Sequence, residues 1–230
     1  MNKVFEIEGK FEEYHYKKRL NRFVVETEER KICHLHDPGR LNELLIPGYP
    51  VYAIKKNTGL NCEIIYVKIE DELVLINSKY HNKIAENLIL GGFLGKNFKI
   101  KKREVPYMGK RLDFLLNLEG IDYYLEVKGC TLVEGKIAKF PDAPTSRGRE
   151  HVEDLIKIKE GGLGAGILFL VFRDANYFMP NYSADPKFSE ILKMAFKKGV
   201  EIFPYKLFFN GRELYEIGML EIKINGPAGI

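Results

Sequence analysis

The sequence predicts a mixed fold, in which a small all-β domain is followed by an α/β domain. Residues 1–80 contain short strand-like segments separated by turn-like residues, whereas a helix, three strands, a helix and a strand follow from residue 82. The strand predicted at residues 166–172 is apolar throughout, which is typical of a strand covered on both faces. The 230 residues are 45% hydrophobic, so each part has enough apolar side chains for a core.

The first part is predicted to form a small closed barrel. Its strands are expected at residues 4–8, 11–18, 22–26, 31–35, 51–56, 63–69 and 73–76. A short helix is expected between them, with Asp37 as its N-cap, Pro38 in its first turn and Leu41, Leu44 and Leu45 on its apolar face. An OB-fold and an SH3-like barrel fit this pattern almost equally well.

The second part has the element order of an α/β domain. Helices are predicted at residues 82–90, 147–160 and 188–198, and strands at 98–104, 111–117, 122–128, 166–172 and 200–205. No Pro-, Gly- or Ser-rich linker separates the two parts. We therefore expect two firmly packed domains, residues 1–80 and 81–230.

Composition narrows the class of protein. The net charge is +4, with basic runs at residues 17–22 and 99–103, which suits a nucleic-acid partner but also an ordinary solvated edge strand. The three cysteines, Cys33, Cys62 and Cys130, have neither metal-site nor redox spacing, which predicts a reducing cytoplasmic location without a disulfide framework. The absence of a long apolar run predicts no membrane partner.

The acids of two successive predicted strands are the most informative feature. Asp113 interrupts an apolar strand, and Glu126 and Lys128 lie two apart on the next, so they share one face. If the strands are neighbours, all three side chains converge. Two adjacent carboxylates suit Mg²⁺, and an ammonium beside the metal can orient an attacking water, which is the equipment for phosphodiester hydrolysis. A buried Asp113–Lys128 ion pair with a purely structural role is the alternative.

Longer stretches of the chain resemble a known family. The spacing of Asp113, Glu126 and Lys128 resembles the core of the PD-(D/E)XK nuclease superfamily, and the chain as a whole resembles the sugar fermentation stimulation protein family. The matching stretches are residues 34–41 (HLHDPGRL), 43–45 (ELL), 47–48 (PG), 113–116 (DFLL), 126–128 (EVK) and 140–148 (FPDAPTSRG). The resemblance implies an N-terminal OB-fold barrel, a C-terminal PD-(D/E)XK, restriction-endonuclease-like α/β domain, and DNA binding.

The resemblance also implies roles for residues outside the two strands. Glu86 matches the position at which such folds often place a further metal ligand on the preceding helix, and Thr145 and Arg147 fall on the substrate side. Arg147 also begins a predicted helix, where phosphate binds readily. From the sequence pattern, Arg22 and Arg40 are assigned to phosphate contact. His151 shares the Arg147 face and is interpreted as a surface histidine, with proton donation as the alternative.

The leading hypothesis is a DNA-binding, Mg²⁺-dependent phosphodiesterase, with Mn²⁺ as an alternative cofactor. Asp113 and Glu126 would hold the metal, with Glu86, and Lys128 would position the water. The alternative is a non-catalytic, sequence-nonspecific DNA-binding or regulatory protein that retains a nuclease-like scaffold. RNA in place of DNA, and a homodimer in place of a monomer, stay open at this point.

Overall fold

The computed structural model describes residues 1–57 and 59–226, which fold into three sheets and three α-helices. The strands are β1 (Lys3–Glu6), β2 (Phe11–Asn21), β3 (Val24–Thr27), β4 (Ile32–His34), β5 (Pro50–Lys55), β6 (Cys62–Ile69), β7 (Glu72–Leu75), β8 (Lys99–Tyr107), β9 (Lys110–Leu118), β10 (Ile121–Cys130), β11 (Val133–Glu134), β12 (Ile137–Phe140), β13 (Gly164–Val171), β14 (Tyr177–Pro180), β15 (Glu201–Phe209), β16 (Glu213–Met219) and β17 (Glu221–Ile222). The helices are α1 (His81–Leu90), α2 (Ser146–Glu160) and α3 (Pro186–Lys197).

Strands β2 to β6 form a closed ring in the first part of the chain. The strand order is β4-β3-β2-β5-β6-β7, and a parallel pairing between β4 and β6 joins the two ends of the five-strand set. Apolar side chains such as Val25, Ala53 and Ile64 are fully buried inside it. The predicted small β domain is therefore present, and its closure removes the free edges that would otherwise invite pairing with another chain.

The helix predicted after Asp37 does not form, and turns at residues 42–44 take its place. Asp37 Oδ1 accepts a hydrogen bond from the amide of Gly39, and Leu41 has a left-handed φ of 52°, which no right-handed helix accommodates. The amides of Arg40 and Leu41 donate to Asp142 of the second domain. A carboxylate more than 100 residues away in the chain thus replaces the helical hydrogen bonds that the local pattern suggested.

The prediction of no disulfide is wrong for one pair of cysteines. Cys33 on β4 and Cys62 on β6 are directly opposite each other in the parallel pairing that closes the ring, and they are joined as a disulfide across a Cα–Cα distance of 4.5 Å. The pairing links residues 29 apart in the chain, so their spacing gave no sign of it. Cys130 is a free, buried thiol.

A seven-stranded sheet forms the second part, in the order β1-β16-β15-β13-β10-β9-β8. Its centre, β10, β13 and β15, is parallel, and β9 and β8 extend it antiparallel. Every residue of β13 is buried: Ile167 and Phe169 pack with α2 and α3, whereas Leu168 and Leu170 belong to a core shared by α1 and the ring. Because this core is continuous, the two parts pack firmly, as predicted.

Two features of the sheets were not predicted from the sequence. Strand β1, expected in the first domain, pairs with β16 of the second, so the chain begins in the second sheet and then enters the ring. A small sheet, β11-β12-β14-β17, holds the segment between β10 and α2. In the described residues, no helix combines the length and hydropathy needed to cross a membrane.

Candidate active site

A cleft of about 700 Å³ lies between the ring and the seven-stranded sheet, and it collects nearly all the predicted site residues. The strands β9 and β10, the start of α2 and the loop after β4 contribute to its walls. The predicted residues that line it are Arg22, Arg40, Asp113, Glu126, Lys128, Thr145 and Arg147. Residues from both parts of the chain thus face one space.

The two acid-bearing strands are neighbours, as the short turn between them predicts. Strands β9 and β10 pair antiparallel up to Leu125, which is opposite Phe114. Beyond that point the Asp113 side chain replaces the backbone of β9 as the partner of β10, because Asp113 Oδ2 accepts a hydrogen bond from the amide of Val127 at 2.7 Å. The Asp113 carboxylate is therefore fixed against the backbone between Glu126 and Lys128.

Asp113 is half-buried, and neutral donors hold its carboxylate in position. Besides the Val127 amide, Asn82 Nδ2 of α1 donates to its Oδ1 at 3.0 Å. Burial, and after it the negative charge of Glu126, raises the pKa of Asp113 to about 6, even though Lys128 and the two hydrogen bonds lower it. The carboxylate therefore lacks a full counter-charge, which is the condition that a bound cation would relieve.

Glu126 has a counter-charge on one of its oxygens only. Its Oε1 contacts Lys128 Nζ and His151 Nδ1, whereas its Oε2 is buried without a hydrogen-bond partner among the described residues. Burial alone would raise the pKa of Glu126, but Lys128 and His151 together outweigh it and hold the pKa below its usual value. One ionised oxygen thus remains available in a nearly closed environment.

His151 is the site residue that the sequence placed incorrectly. It was interpreted as a surface residue, but it is only 2% exposed, and its ring lies against Glu126 with Nδ1 also 3.4 Å from Lys128 Nζ. The i, i+4 spacing from Arg147 put it on the correct helical face. At His151 this face of α2 is buried because the helix packs beside β10.

The structure does not bring Glu86 to the cleft. Its carboxylate is bound by Arg103 of β8 and Lys83 of the same helix. Asn82, one turn earlier on α1, occupies the position beside Asp113 and offers an amide instead of a carboxylate. The structure therefore places the buried Glu86, the predicted further ligand, in an ion pair outside the cleft.

The start of α2 presents its positive end and a free cation to the cleft. Thr145 caps the helix, because its hydroxyl accepts the amide of Gly148 at 3.1 Å. Asp185, the N-cap of α3, accepts the Thr145 amide at 2.9 Å and the Arg149 guanidinium at 2.8 Å, which anchors this turn. Arg147 is exposed and has no ion-pair partner among the described residues.

The opposite wall is held in shape by an arginine that the sequence did not single out. The Arg19 guanidinium donates to four backbone carbonyls, those of Arg22, Asp37, Gly39 and Arg40, at 2.7–3.1 Å. This ties the β2–β3 turn to the loop after β4. The exposed side chains of Arg22 and Arg40 are consequently carried on one rigid surface beside the cleft.

The oxygen donors in the cleft suit a hard divalent cation. Asp113 lacks a full counter-charge, and Glu126 Oε2 is an unpartnered buried acceptor on the neighbouring strand. Within residues 1–57 and 59–226, however, no set of three or more His, Cys, Asp or Glu side chains is arranged to hold a metal ion. Protein ligands would thus be few, as is usual for Mg²⁺, which keeps several of its waters.

Comparisons with known proteins agree with this architecture. The family model of the SfsA N-terminal OB domain matches residues 18–76, and that of the sugar fermentation stimulation protein RE domain matches residues 79–213. These matches confirm the predicted OB domain and the restriction-endonuclease-like α/β domain.

Whole proteins match over most of their length. Sugar fermentation stimulation protein homologues of Methanothermobacter thermautotrophicus and Methanosphaera stadtmanae are 44% and 45% identical, each over 84% of this chain and 84% and 85% of their own. The solved structure of Pyrococcus furiosus SfsA in complex with Ca²⁺ has a TM-score of 0.89 at 30% identity, over 97% of this chain and 100% of that chain. The chain therefore belongs to the sugar fermentation stimulation protein (SfsA) family.

Proposed function

We propose that this protein is a divalent-metal-dependent phosphodiesterase that acts on DNA bound in the cleft. The observation that carries the proposal is a pair of carboxylates, the half-buried Asp113 and the buried Glu126, beside the Lys128 ammonium in a cleft lined by exposed arginines. A structural ion pair has no need of a second, uncompensated carboxylate or of an open cleft. A site for a metal and a phosphate needs both.

Asp113 and Glu126 Oε2 would hold the cation, for which Mg²⁺ is the proposed physiological choice. The structure of the relative from Pyrococcus furiosus in complex with Ca²⁺ supports a divalent ion in this family. When bound, the cation supplies Lewis-acid polarisation of a phosphate oxygen and a lowered pKa for a coordinated water. Lys128 Nζ, at the cleft surface, would orient that water and balance charge on the reacting phosphate.

The DNA backbone would be gripped from both walls. Arg147 and the positive N-terminal end of α2 offer one phosphate site, and a guanidinium can bind a phosphate through two parallel hydrogen bonds. Arg22 and Arg40 offer sites on the ring side. These contacts involve phosphate and no base edge, so the proposal includes little sequence specificity.

One observation favours a second candidate, a non-catalytic DNA-binding protein. Glu126 Oε1 is already shared by Lys128 and His151, an arrangement that also suits a purely structural buried network. In this case the cleft would bind DNA through the same arginines but would need no cation.

Cleavage of end-labelled and supercoiled DNA with and without Mg²⁺ distinguishes the two candidates. Asp113→Asn keeps the size of the side chain, and we expect it to abolish cleavage while DNA affinity stays within about twofold. Glu86→Gln is the matched control, because it removes an acid of the neighbouring helix that lies outside the cleft. Cleavage by Asp113→Asn at the wild-type rate, or no cleavage by wild type on any substrate, would favour the second candidate.

A further inference from the structure

The outer surface of the ring carries a row of aromatic side chains next to the cleft. Phe23 lies at the β2–β3 turn, and its ring is nearly parallel to that of His34, with 6.4 Å between centroids and 16° between planes. His34 in turn meets His36 edge-on, with 4.2 Å between centroids. We call Phe23, His34 and His36 the aromatic row.

The aromatic row is not part of the hydrophobic core. Phe23 lies in the turn before β3, is 43% exposed and does not pack against the buried cluster of the ring. Cys33 and Leu35, which alternate with His34 and His36 along the chain, are fully buried, so the two histidines lie on the outer side of β4 and the loop after it. A single exposed aromatic residue is common on protein surfaces, but three adjoining rings form a contiguous patch, which is the arrangement found at binding sites.

The surroundings of the row are cationic. The Arg22 guanidinium lies 5.6 Å from the centre of the Phe23 ring, and Lys56 and Lys79 flank the far end near His36. The acid at that end, Glu63, is buried and bound by both lysines, so the groups that face solvent are positive. Aromatic rings surrounded by cations are complementary to a polynucleotide, because its bases can stack on the rings and its negatively charged phosphates can pair with the cations.

The row also runs directly into the cleft. Arg22 precedes Phe23, Asp37 follows His36, and both of these neighbours line the cleft wall. The Ser78 hydroxyl, another lining group, donates to the backbone carbonyl of His36 at 2.8 Å. A strand bound along the row therefore continues towards Asp113 and Glu126 without leaving the protein surface.

We propose that the aromatic row is a base-stacking surface that holds a single-stranded DNA segment leading into the cleft. Base faces in a duplex are covered by their neighbours, so exposed rings gain from DNA only where the strand is unpaired. The inference rests on the proposed function for the identity of the nucleic acid. It adds that the substrate is single-stranded, or locally opened, on the ring side of the reacting phosphate.

Equilibrium binding tests the row in EDTA, where cleavage plays no part. We expect Phe23→Leu, which keeps apolar volume but removes the ring, to weaken binding of a labelled single-stranded oligonucleotide by about fivefold to one hundredfold. Phe23→Tyr should keep wild-type affinity, and Leu20→Ala serves as the matched control, because Leu20 is an exposed aliphatic residue of the same hairpin. Unchanged affinity in Phe23→Leu, or an equal loss on a duplex of the same sequence, would overturn the proposal.

A fluorescence measurement reports stacking directly. The chain contains no tryptophan, so Phe23→Trp introduces a single reporter. Single-stranded DNA should quench its emission, whereas it should leave Phe208→Trp, on an exposed aromatic position of β15, unchanged. No quenching at position 23 under saturating DNA, or tighter binding of the matching RNA, would contradict the row as a site for single-stranded DNA. Failure of Mg²⁺-dependent cleavage alone would leave both EDTA measurements intact, so the two proposals fail separately.

Discussion

At the scale of single residues, the chemistry of the cleft depends on how the Glu126 carboxylate is shared. One oxygen is bound by Lys128 and His151, and the other has no partner among the described residues. His151 therefore fixes the orientation of the Glu126 carboxylate through a hydrogen bond and leaves the second oxygen free of that contact. Residues that hydrogen-bond a metal ligand commonly have this effect, so we propose that His151 is a positioning residue.

We predict that His151→Ala weakens binding of Mg²⁺ or Ca²⁺ by about tenfold, because loss of such a support typically costs a metal site this much. His151→Asn should recover part of the affinity, since its amide can donate from nearly the place of Nδ1. Calorimetric titration of the metal into DNA-free protein measures the metal affinity of both variants. His15→Ala, which alters an exposed histidine paired with Glu29, is the control. Equal metal affinity in wild type and His151→Ala would remove the positioning role.

At the scale of elements, the cleft is built from strand and helix ends that are locked by buried polar groups. Thr145 caps α2, and Asp185 joins the starts of α2 and α3. On the ring side, Glu63 of β6 binds Lys56, Lys79 and Asn77 and so fixes the segment that leads into α1. Each of these contacts places an element whose residues line the cleft.

The exposed start of α2 should make one phosphate contact through Arg147. DNA affinity should fall with salt at a log–log slope of roughly −0.9 per phosphate for duplex and −0.7 for single strands. Arg147→Ala should reduce the magnitude of the slope by about one, whereas Lys157→Ala, near the other end of the helix, should leave it unchanged. Fluorescence anisotropy across a salt series gives both slopes. An affinity independent of salt would contradict phosphate binding altogether.

Glu63 gives a pH-dependent prediction for stability. Burial alone would raise its pKa, but hydrogen bonds from Lys56, Lys79 and Asn77 lower the pKa to about 2 from an ordinary value of 4.5. Since the folded pKa is depressed, the stabilisation is complete above pH 4.5 and is lost as pH falls towards 2. The difference between the folded and unfolded pKa of Glu63 corresponds to about 3 kcal/mol of stability.

Glu63→Gln should therefore be less stable than wild type at pH 7. Urea melts should show the difference between their free energies of unfolding narrowing between pH 5 and pH 3. A difference of constant size would show that Glu63 stabilises by packing alone.

The main helices, most of the longer strands and the acid pair could be predicted from the sequence because their signals are local. Strand alternation places Glu126 and Lys128 on one face, and the short turn makes β9 and β10 neighbours.

The features that could not be predicted depend on contacts between distant parts of the chain. The Asp142 carboxylate replaces a helix at Leu41, β1 joins a strand more than 200 residues away, and α2 buries His151. Asn82 takes the place expected for Glu86 because helix α1 presents a different turn to Asp113.

At the scale of the whole molecule, the site exists because two units share one core. The ring, α1 and one face of the seven-stranded sheet bury a common set of apolar side chains, so the cleft walls cannot separate without exposing them. The ring contributes exposed cations and the aromatic row, and the sheet contributes the carboxylates. We therefore propose that the first unit makes most of the contacts with the DNA strand and that the second unit carries the chemistry.

Thermal melts with and without Mg²⁺ or Ca²⁺ test most directly whether Asp113 and Glu126 together bind a divalent cation. At a metal concentration of 100 times Kd, wild type and Glu86→Gln should melt about 5–10 °C higher than without metal, because the ion binds the folded state alone. Glu126→Gln should respond far less, even though loss of the Lys128 and His151 contacts lowers its melting temperature in metal-free buffer. If neither ion shifts the melting temperature of wild type while Glu126→Gln is strongly destabilised, the carboxylates form a structural network and the metal-site account is wrong.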